Sequence, residues 1–261
     1  NQAKVTQVGK PNQPSAPNAN FPRNEADVDQ TGTGNKARVN QESYAVAGVK
    51  NMATISTTGM DNLAIVEQIK TQGNKATVLQ DNNYAEAYVY QDSDDNTAKV
   101  TQTGDDVDLT SGSGDVAIVH QMGSTGNTAN VTQESIDPYG DPGSYSEVLQ
   151  DGSDNKATVK QTTRGQEAFV HQLGDNNMVN VDQSGYSQYA DLYQEGSDHK
   201  INLTQKWSQG SAIISQFGNG HSATYTQGGG GNNTITTLQE DFAGQGSLDM
   251  TPETQMTPSG Y

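Results

Sequence analysis

Apolar and polar residues alternate along most of this chain, and the alternation comes in copies. The unit Asn-x-Ala-x-Val-x-Gln reads NEADVDQ from Asn24 to Gln30, NKARVNQ from Asn35 to Gln41, NLAIVEQ from Asn62 to Gln68 and NKATVLQ from Asn74 to Gln80. It returns from Asn96, Asn127, Asn155 and Asn177. A period of two with β-branched residues predicts strands that bury one face. In the C-terminal half the units start every 11 residues, at Ser144, Asn155, Gln166, Asn177, Gln188, His199, Gly210 and His221. The β-branched alternation and the spacing of the glycines both contradict a helix.

Short runs of Gly, Asp, Ser and Asn separate the units and read as turns of two kinds. In one kind a glycine sits two residues after the strand end: Gly32, Gly59, Gly104, Gly123, Gly152, Gly174, Gly196 and Gly218. Asn82 is the exception, and asparagine is the next-best residue for a positive φ. The other kind varies in length, from TTRG after Gln161 to ESIDPYGDPG after Gln133, so insertions are expected on one edge. The chain therefore reads as nine two-strand rungs, starting near Asn24, Asn51, Asn74, Asn96, Asp115, Ser144, Gln166, Gln188 and Gly210. Half rungs are expected at residues 1–7 and 233–239. The rung from Asn96 is the weakest, its second strand (Val107 to Ser113) having lost the pattern. Residues 8–23, with four prolines, read as a linker, and residues 240–261 as a non-repeat tail. The fold class is all-β: a two-sheet parallel β-solenoid of stacked strand-arc-strand repeats, amyloid-like.

Composition sharpens this. Only 31% of the 261 residues are hydrophobic, against about 45–50% in ordinary globular domains, which is too little for one large core. Stacked repeats escape the disorder such a composition usually implies, because they share ladders of hydrogen bonds. There is no cysteine, so neither a disulfide scaffold nor a thiolate metal site is expected. A net charge of −17 argues against nucleic acid as a partner, and no apolar run is long enough to embed the chain in a membrane as a helix. The first residue is Asn1, which suggests a signal peptide cut away and a secreted protein.

The run Ser144-x5-Gln150-x-Gly152-x2-Asn155-x-Ala157-x3-Gln161 matches the curlin repeat signature position for position. The chain resembles curlin-family subunits of bacterial curli fibres over roughly residues 24–239, as a longer relative. Neighbouring rungs depart from the pattern, with Gln166, Gln188 or Gly210 at the Ser slot and His199 or His221 at the Asn slot. The resemblance implies export through outer-membrane secretion machinery, a surface nucleator as partner, and growth into matrix fibres for biofilm and adhesion.

Strand alternation turns positions one, three, five and seven of each unit inward. Identical amides stacked about 4.8 Å apart then form hydrogen-bonded ladders. One ladder is expected through Gln150, Gln172, Gln194 and Gln216, and another through Gln133, Gln161, Gln183, Gln205 and Gln227. Gln30, Gln41, Gln80, Gln91, Gln102 and Gln121 take the same role, with Asn155 and Asn177 at strand starts. The end rungs would expose unpaired ladders, making a second copy of the chain the main partner. On the outside, one face carries Thr110, Asn130, Thr158, Asn180, Asn202 and Thr224. The other carries a file of Ile118, Leu149, Phe169, Tyr193 and Ile213, a candidate lateral contact. Repulsion between acidic copies predicts faster assembly near pH 4 or at high salt.

Chemistry is sparse. His199 and His221 share a slot in successive rungs, close enough for a weak metal contact, but replacing Asn in a turn is the simpler role. His120 and His171 face outward and are expected to be solvated. The Asp92-Ser93-Asp94-Asp95 cluster lacks the calcium-binding nonapeptide repeat. No nucleophile elbow, Walker loop or zinc motif is present, so no enzyme and no cofactor is expected. The alternatives are a monomeric solenoid adhesin or ice-binding protein, and a minor nucleating curlin.

Overall fold

The computed structural model describes residues 1–10, 24–44, 50–69, 71–104, 114–135, 143–207, 209–229 and 232–241. Among them the structure is all β, with nineteen strands. In chain order the first seven are β1 (Gln2–Lys10), β2 (Glu25–Thr33), β3 (Lys36–Tyr44), β4 (Met52–Met60), β5 (Leu63–Ile69), β6 (Lys75–Asp81) and β7 (Glu86–Gln91). Next come β8 (Thr97–Gly104), β9 (Val116–Gly123), β10 (Thr128–Ser135), β11 (Tyr145–Gly152), β12 (Lys156–Thr162) and β13 (Glu167–Asp175). The last six are β14 (Met178–Ser184), β15 (Tyr189–Ser197), β16 (Lys200–Lys206), β17 (Ser211–Asn219), β18 (Ser222–Gln227) and β19 (Thr234–Glu240).

The odd-numbered strands form one parallel sheet of ten and the even-numbered strands a second of nine. The chain thus alternates between two facing sheets, a two-sheet β-solenoid. Pairing is in register: Ala129 lies between Ala98 and Ala157, Val131 between Val100 and Val159, and Gln133 between Gln102 and Gln161. The space between the sheets holds one narrow core of these Ala and Val positions, from Ala37 and Val39 to Ile214 and Ala223. Ala and β-branched residues fill most of it, and burying each Val contributes about 1.5–3 kcal/mol. Larger residues enter together near the C-terminal end, where Leu192, Ile201, Leu203 and Ile214 are fully buried.

The rung count needs one correction. A second strand at Val107 to Ser113 has no slot: β8 lies between β6 and β10, while β9 lies between β7 and β11. Residues 105–113 fall outside the described residues, and the strand that follows β8 in the opposite sheet is β9. Tight arcs therefore join β2 with β3 through β6 with β7, and β9 with β10 through β17 with β18, which leaves β8 without such a partner and β1 and β19 as single strands at the two ends.

This slip has a geometric consequence. Before β9, the tight glycine arcs lead from even to odd strands, at Gly32 and Gly59; from β9 on, they lead from odd to even, at Gly123, Gly152, Gly174, Gly196 and Gly218. Insertions are consequently not confined to one edge, as the long connections after Gln41 and Gln133 leave opposite edges. All eight predicted arc glycines, Gly104 included, have positive φ. At Gly174 (φ +108°) a Cβ would lie 2.1 Å from the Gly196 carbonyl oxygen of the next layer, so glycine is required by the stack and not only by the turn. Asn82 departs from expectation: the left-handed residue of its arc is Tyr84 (φ 58°).

Candidate functional site

In the odd sheet, every strand ends on an inward glutamine, and the ten side chains form one continuous chain of hydrogen bonds. Gln7 donates to Gln41, Gln41 to Gln68, Gln68 to Gln91, Gln91 to Gln121 and Gln121 to Gln150, at 2.8–2.9 Å. Gln150 continues to Gln172, Gln194, Gln216 and Gln239, at 2.6–3.0 Å. The other Nε2 hydrogen crosses to the even sheet, as in Gln41 to the Glu25 carbonyl (3.0 Å) and Gln161, from the even side, to the Tyr145 carbonyl (2.9 Å). A carbonyl oxygen only accepts, so this contact fixes each amide's orientation and gives the ladder a direction. Each glutamine joins layer to layer and sheet to sheet.

The even-sheet ladder runs from Gln80 through Gln102, Gln133, Gln161, Gln183 and Gln205 to Gln227, at 2.6–3.0 Å. Gln30 does not join it. Its register neighbour is Thr57, whose side chain is too short to reach the next layer. Thr57 Oγ1 and Gln80 Oε1 are both buried without a partner, and Gln30 instead lies beside the Gln2 carbonyl and the Ala37 amide, each 3.2 Å away.

A second ladder runs along the strand starts of the even sheet. The side-chain oxygens of Asn24, Asn51, Asn74, Asn96, Asn127, Asn155 and Asn177 each accept the backbone N–H of the next member, at 2.8–3.4 Å. His199 continues it, its Nδ1 accepting the His221 backbone N–H at 3.2 Å. That assigns the proton of His199 to Nε2, 3.1 Å from the Glu195 carbonyl oxygen. Burial first, and then the neighbouring His221, pushes the His199 pKa down despite the raising effect of its backbone contacts. The two rings stack at 5.2 Å and 5°. Parallel stacking, with Nε2 of each ring already against a carbonyl oxygen, suits the asparagine-like role and not a shared ion. Among the described residues no group of three or more His, Asp or Glu side chains is placed to hold a metal. Asp94 Oδ1 accepts from the Gln72 backbone N–H at 2.9 Å, a turn contact.

Outside, the expected apolar file divides. Ile118, Phe169 and Ile213 share one outward row, interrupted by Glu147 and Asp191; Leu149 and Tyr193 share another, with His120 and His171. Alternation identifies outward residues but not which of several outward rows they occupy. Acidic and aromatic residues are interleaved instead. Tyr88, Tyr145 and Tyr193 donate to Glu86, Glu147 and Glu195 at 2.8–3.0 Å. Burial and these carboxylates push each of the three phenols up to about 12. Tyr145 and Tyr189 flank Phe169 at 5.4 and 5.9 Å. His120 packs against Tyr90, and His171 Nε2 is buried without a partner, so neither imidazole is simply solvated. On the even face the expected slot for Thr110, which lies outside the described residues, is taken by Lys99, in register with Asn130.

The end layers differ from all others. Val5 in β1 is 48% exposed, while Val39 in the same slot one layer in is 0% exposed. In β19 the inward Ile235, Thr237 and Gln239 are only half-buried. Sequence reasoning left Gln7, Gln68 and Gln239 out of the ladders, although NLAIVEQ already ends on Gln68.

Residues 174–206, which span β14 to β16, match the family model of the curlin associated repeat. This stretch is similar to a curlin repeat. The match is consistent with a curlin-family protein, and that family is structural, not enzymatic, made of secreted extracellular fibre subunits. No curated protein matches the chain.

Proposed function

We propose that this curlin-repeat protein is the structural subunit of an extracellular fibre, grown by stacking copies end on end at the bacterial cell surface. The observation that carries this is the pair of open end layers. Among the described residues, a layer of Ala, Val and Gln that is sealed inside the stack is bared at both ends, with unpaired strand edges beside it. Soluble repeat proteins cover such ends with atypical, polar caps. The ladder direction adds polarity. Gln7 offers a side-chain oxygen that no described residue donates to, and Gln239 offers an N–H beyond the last acceptor. A nucleator at the surface and export through an outer-membrane channel are the partners this reading calls for, and adhesion and biofilm structure its outcome.

Electron microscopy of the purified chain after a day at room temperature, with fibre diffraction and thioflavin binding, tests the reading. Unbranched fibres with a meridional reflection near 4.8 Å are expected. A dispersed particle that never elongates refutes it. Deleting residues 1–7 together with 233–239 should slow elongation. The ice-binding alternative needs an unbroken row of small hydroxyl and amide groups, and Asp27 and Lys99 stand in that row.

A further inference from the structure

Among the described residues the two sheets hold unequal numbers of strands, ten and nine, an odd total. That parity constrains how copies stack. A next copy added in the same orientation would place its β1 on β19. Its β2 would then lie two layer spacings above β18, leaving one strand-wide hole in the even sheet at every junction. Above Tyr225 and Gln227 the backbone and amide groups of β18 would stay unpaired in the fibre interior, at about 1–3 kcal/mol for each orphaned group.

We infer that successive copies are rotated by half a turn about the fibre axis, beyond any continuous twist, so that β1 of one copy pairs with β18 of the last and β2 pairs with β19. This rests on the end-to-end reading above and adds the orientation of the partner. The half turn exchanges the sheets, closes the hole, and keeps all strands parallel with their inward faces inward. Gln7 then follows Gln227, and Gln30 follows Gln239.

The chain already contains this joint. Tight-arc pairs start on even strands up to β6 and on odd strands from β9, so the same unit is seated in both orientations within one molecule. Strand β8 stands alone at the switch, and across it the layers remain in register, as β7 pairs with β9 and β8 with β10. A half-turn relation between successive units thus costs this architecture no pairing. It also sends the tyrosine-rich face to alternate sides of the fibre about every 45 Å, at roughly 4.8 Å per layer.

Disulfide capture tests the inference, and the chain has no cysteine to interfere. In-register neighbours about 4.8 Å apart lie within the range a disulfide spans. Counting from the strand starts, Lys4 should neighbour Thr224, and Asp27 should neighbour Thr236, across the junction. Fibres of Lys4→Cys/Thr224→Cys and of Asp27→Cys/Thr236→Cys should therefore oxidise to covalent multimers on non-reducing gels. Lys4→Cys/Thr236→Cys, which reports unrotated stacking, should stay monomeric. The reverse result overturns the half turn, as does fibre growth in which none of the pairs links, because another segment would then fill the junction. Should the variants not assemble, helical reconstruction of wild-type fibres decides it. Faces alternating from copy to copy are expected, and a continuous tyrosine face overturns the inference. Failure of the wild-type chain to form fibres at all instead removes the fibre reading itself.

Discussion

The two long edges of the slab are built to different standards. Where odd strands turn into even ones, all ten odd-strand ends are glutamine and the even-strand starts are asparagine until His199 and His221. Where even strands turn into odd ones, Thr57 interrupts the glutamines. The odd-strand starts there run through Asn1, Asn35, Asn62, Ala85, Asp115, Ser144, Gln166, Gln188, Gly210 and Asn233. The strict edge accepts one change of residue type, and that change supplies the same acceptor in the same place. The varied edge patches each step differently: Asp115 Oδ1 accepts from the Ser144 N–H at 2.8 Å, and Gln166 reaches the Gly185 carbonyl at 2.8 Å. Orphaned groups occur on both edges, at Thr57 Oγ1, Gln80 Oε1, Asn82 Oδ1 and Gln166 Oε1 on the varied one and at Thr71 Oγ1, Gln72 Oε1 and Asn74 Nδ2 on the strict one, but only Thr57 breaks a glutamine ladder. A ladder that serves both as layer contact and as sheet-to-sheet staple tolerates little, whereas turns that only need to be satisfied tolerate much.

The largest expected effect comes from breaking the strict edge. Gln172→Leu leaves the Gln150 donor and the Gln194 acceptor without partners in a dry interior, at about 1–3 kcal/mol each. Denaturant unfolding should show a loss of about 2–5 kcal/mol. Thr57→Val on the varied edge should be close to neutral, because its hydroxyl is already unpaired. Equal losses for the two variants would erase the distinction drawn here. Arc glycines give a second contrast. Gly174→Ala meets the Gly196 carbonyl at 2.1 Å, whereas Gly165→Ala (φ +63°) has its nearest neighbour at 3.6 Å. The first should cost more than about 2 kcal/mol and the second about 1 kcal/mol, read as shifts in thermal midpoint.

Repairing the varied edge should give a smaller gain. Thr57→Gln places an amide between Gln30 and Gln80, where every other even strand carries one, and supplies a donor to Gln80 Oε1. A net hydrogen bond contributes about 0.5–1.5 kcal/mol, so a stabilisation of about 1 kcal/mol is expected in the same unfolding measurement. No gain would mean that the slot has already closed around threonine.

Most of the fold could be read in the sequence because period-two alternation and identical copies leave a single in-register way to pair. The glutamine ladder follows from the same logic, since an inward amide repeated at each strand end has only its own copies for company. The slip at β8 was hidden: Thr97–Gly104 and Val116–Gly123 both carry the Gln-x-Gly ending, and a strand's sheet depends on counting every strand before it. Assigning Val107 to Ser113 as one more strand shifts that parity and misplaces the glycine edge. Thr57 was invisible for a different reason, as a β-branched polar residue suits a strand locally and fails only in the ladder. The division of Ile118 and Leu149 between rows depends on which outward position each fills, which alternation alone does not specify.

The smallest predicted effect probes the one substitution the strict edge accepts. His199 stands in for asparagine only while Nδ1 is free to accept the His221 N–H, so protonation removes the acceptor. Around the ring are the Glu195 carbonyl, the Asn177 amide oxygen, the Gly218 backbone, His221 and Asp241, the last also 3.2 Å from His221 Nε2. Burial sets the folded pKa below the unfolded value of 6.5, so the unfolded chain binds the extra proton first. Stability from this site is complete above about pH 6.5 and declines as pH falls toward the lowered folded pKa. His199→Asn restores an oxygen that does not titrate, and should flatten that part of the pH–stability curve while leaving stability at pH 8 unchanged. A curve with the same slope in the variant would assign the pH dependence to the carboxylates and remove His199 from the ladder argument.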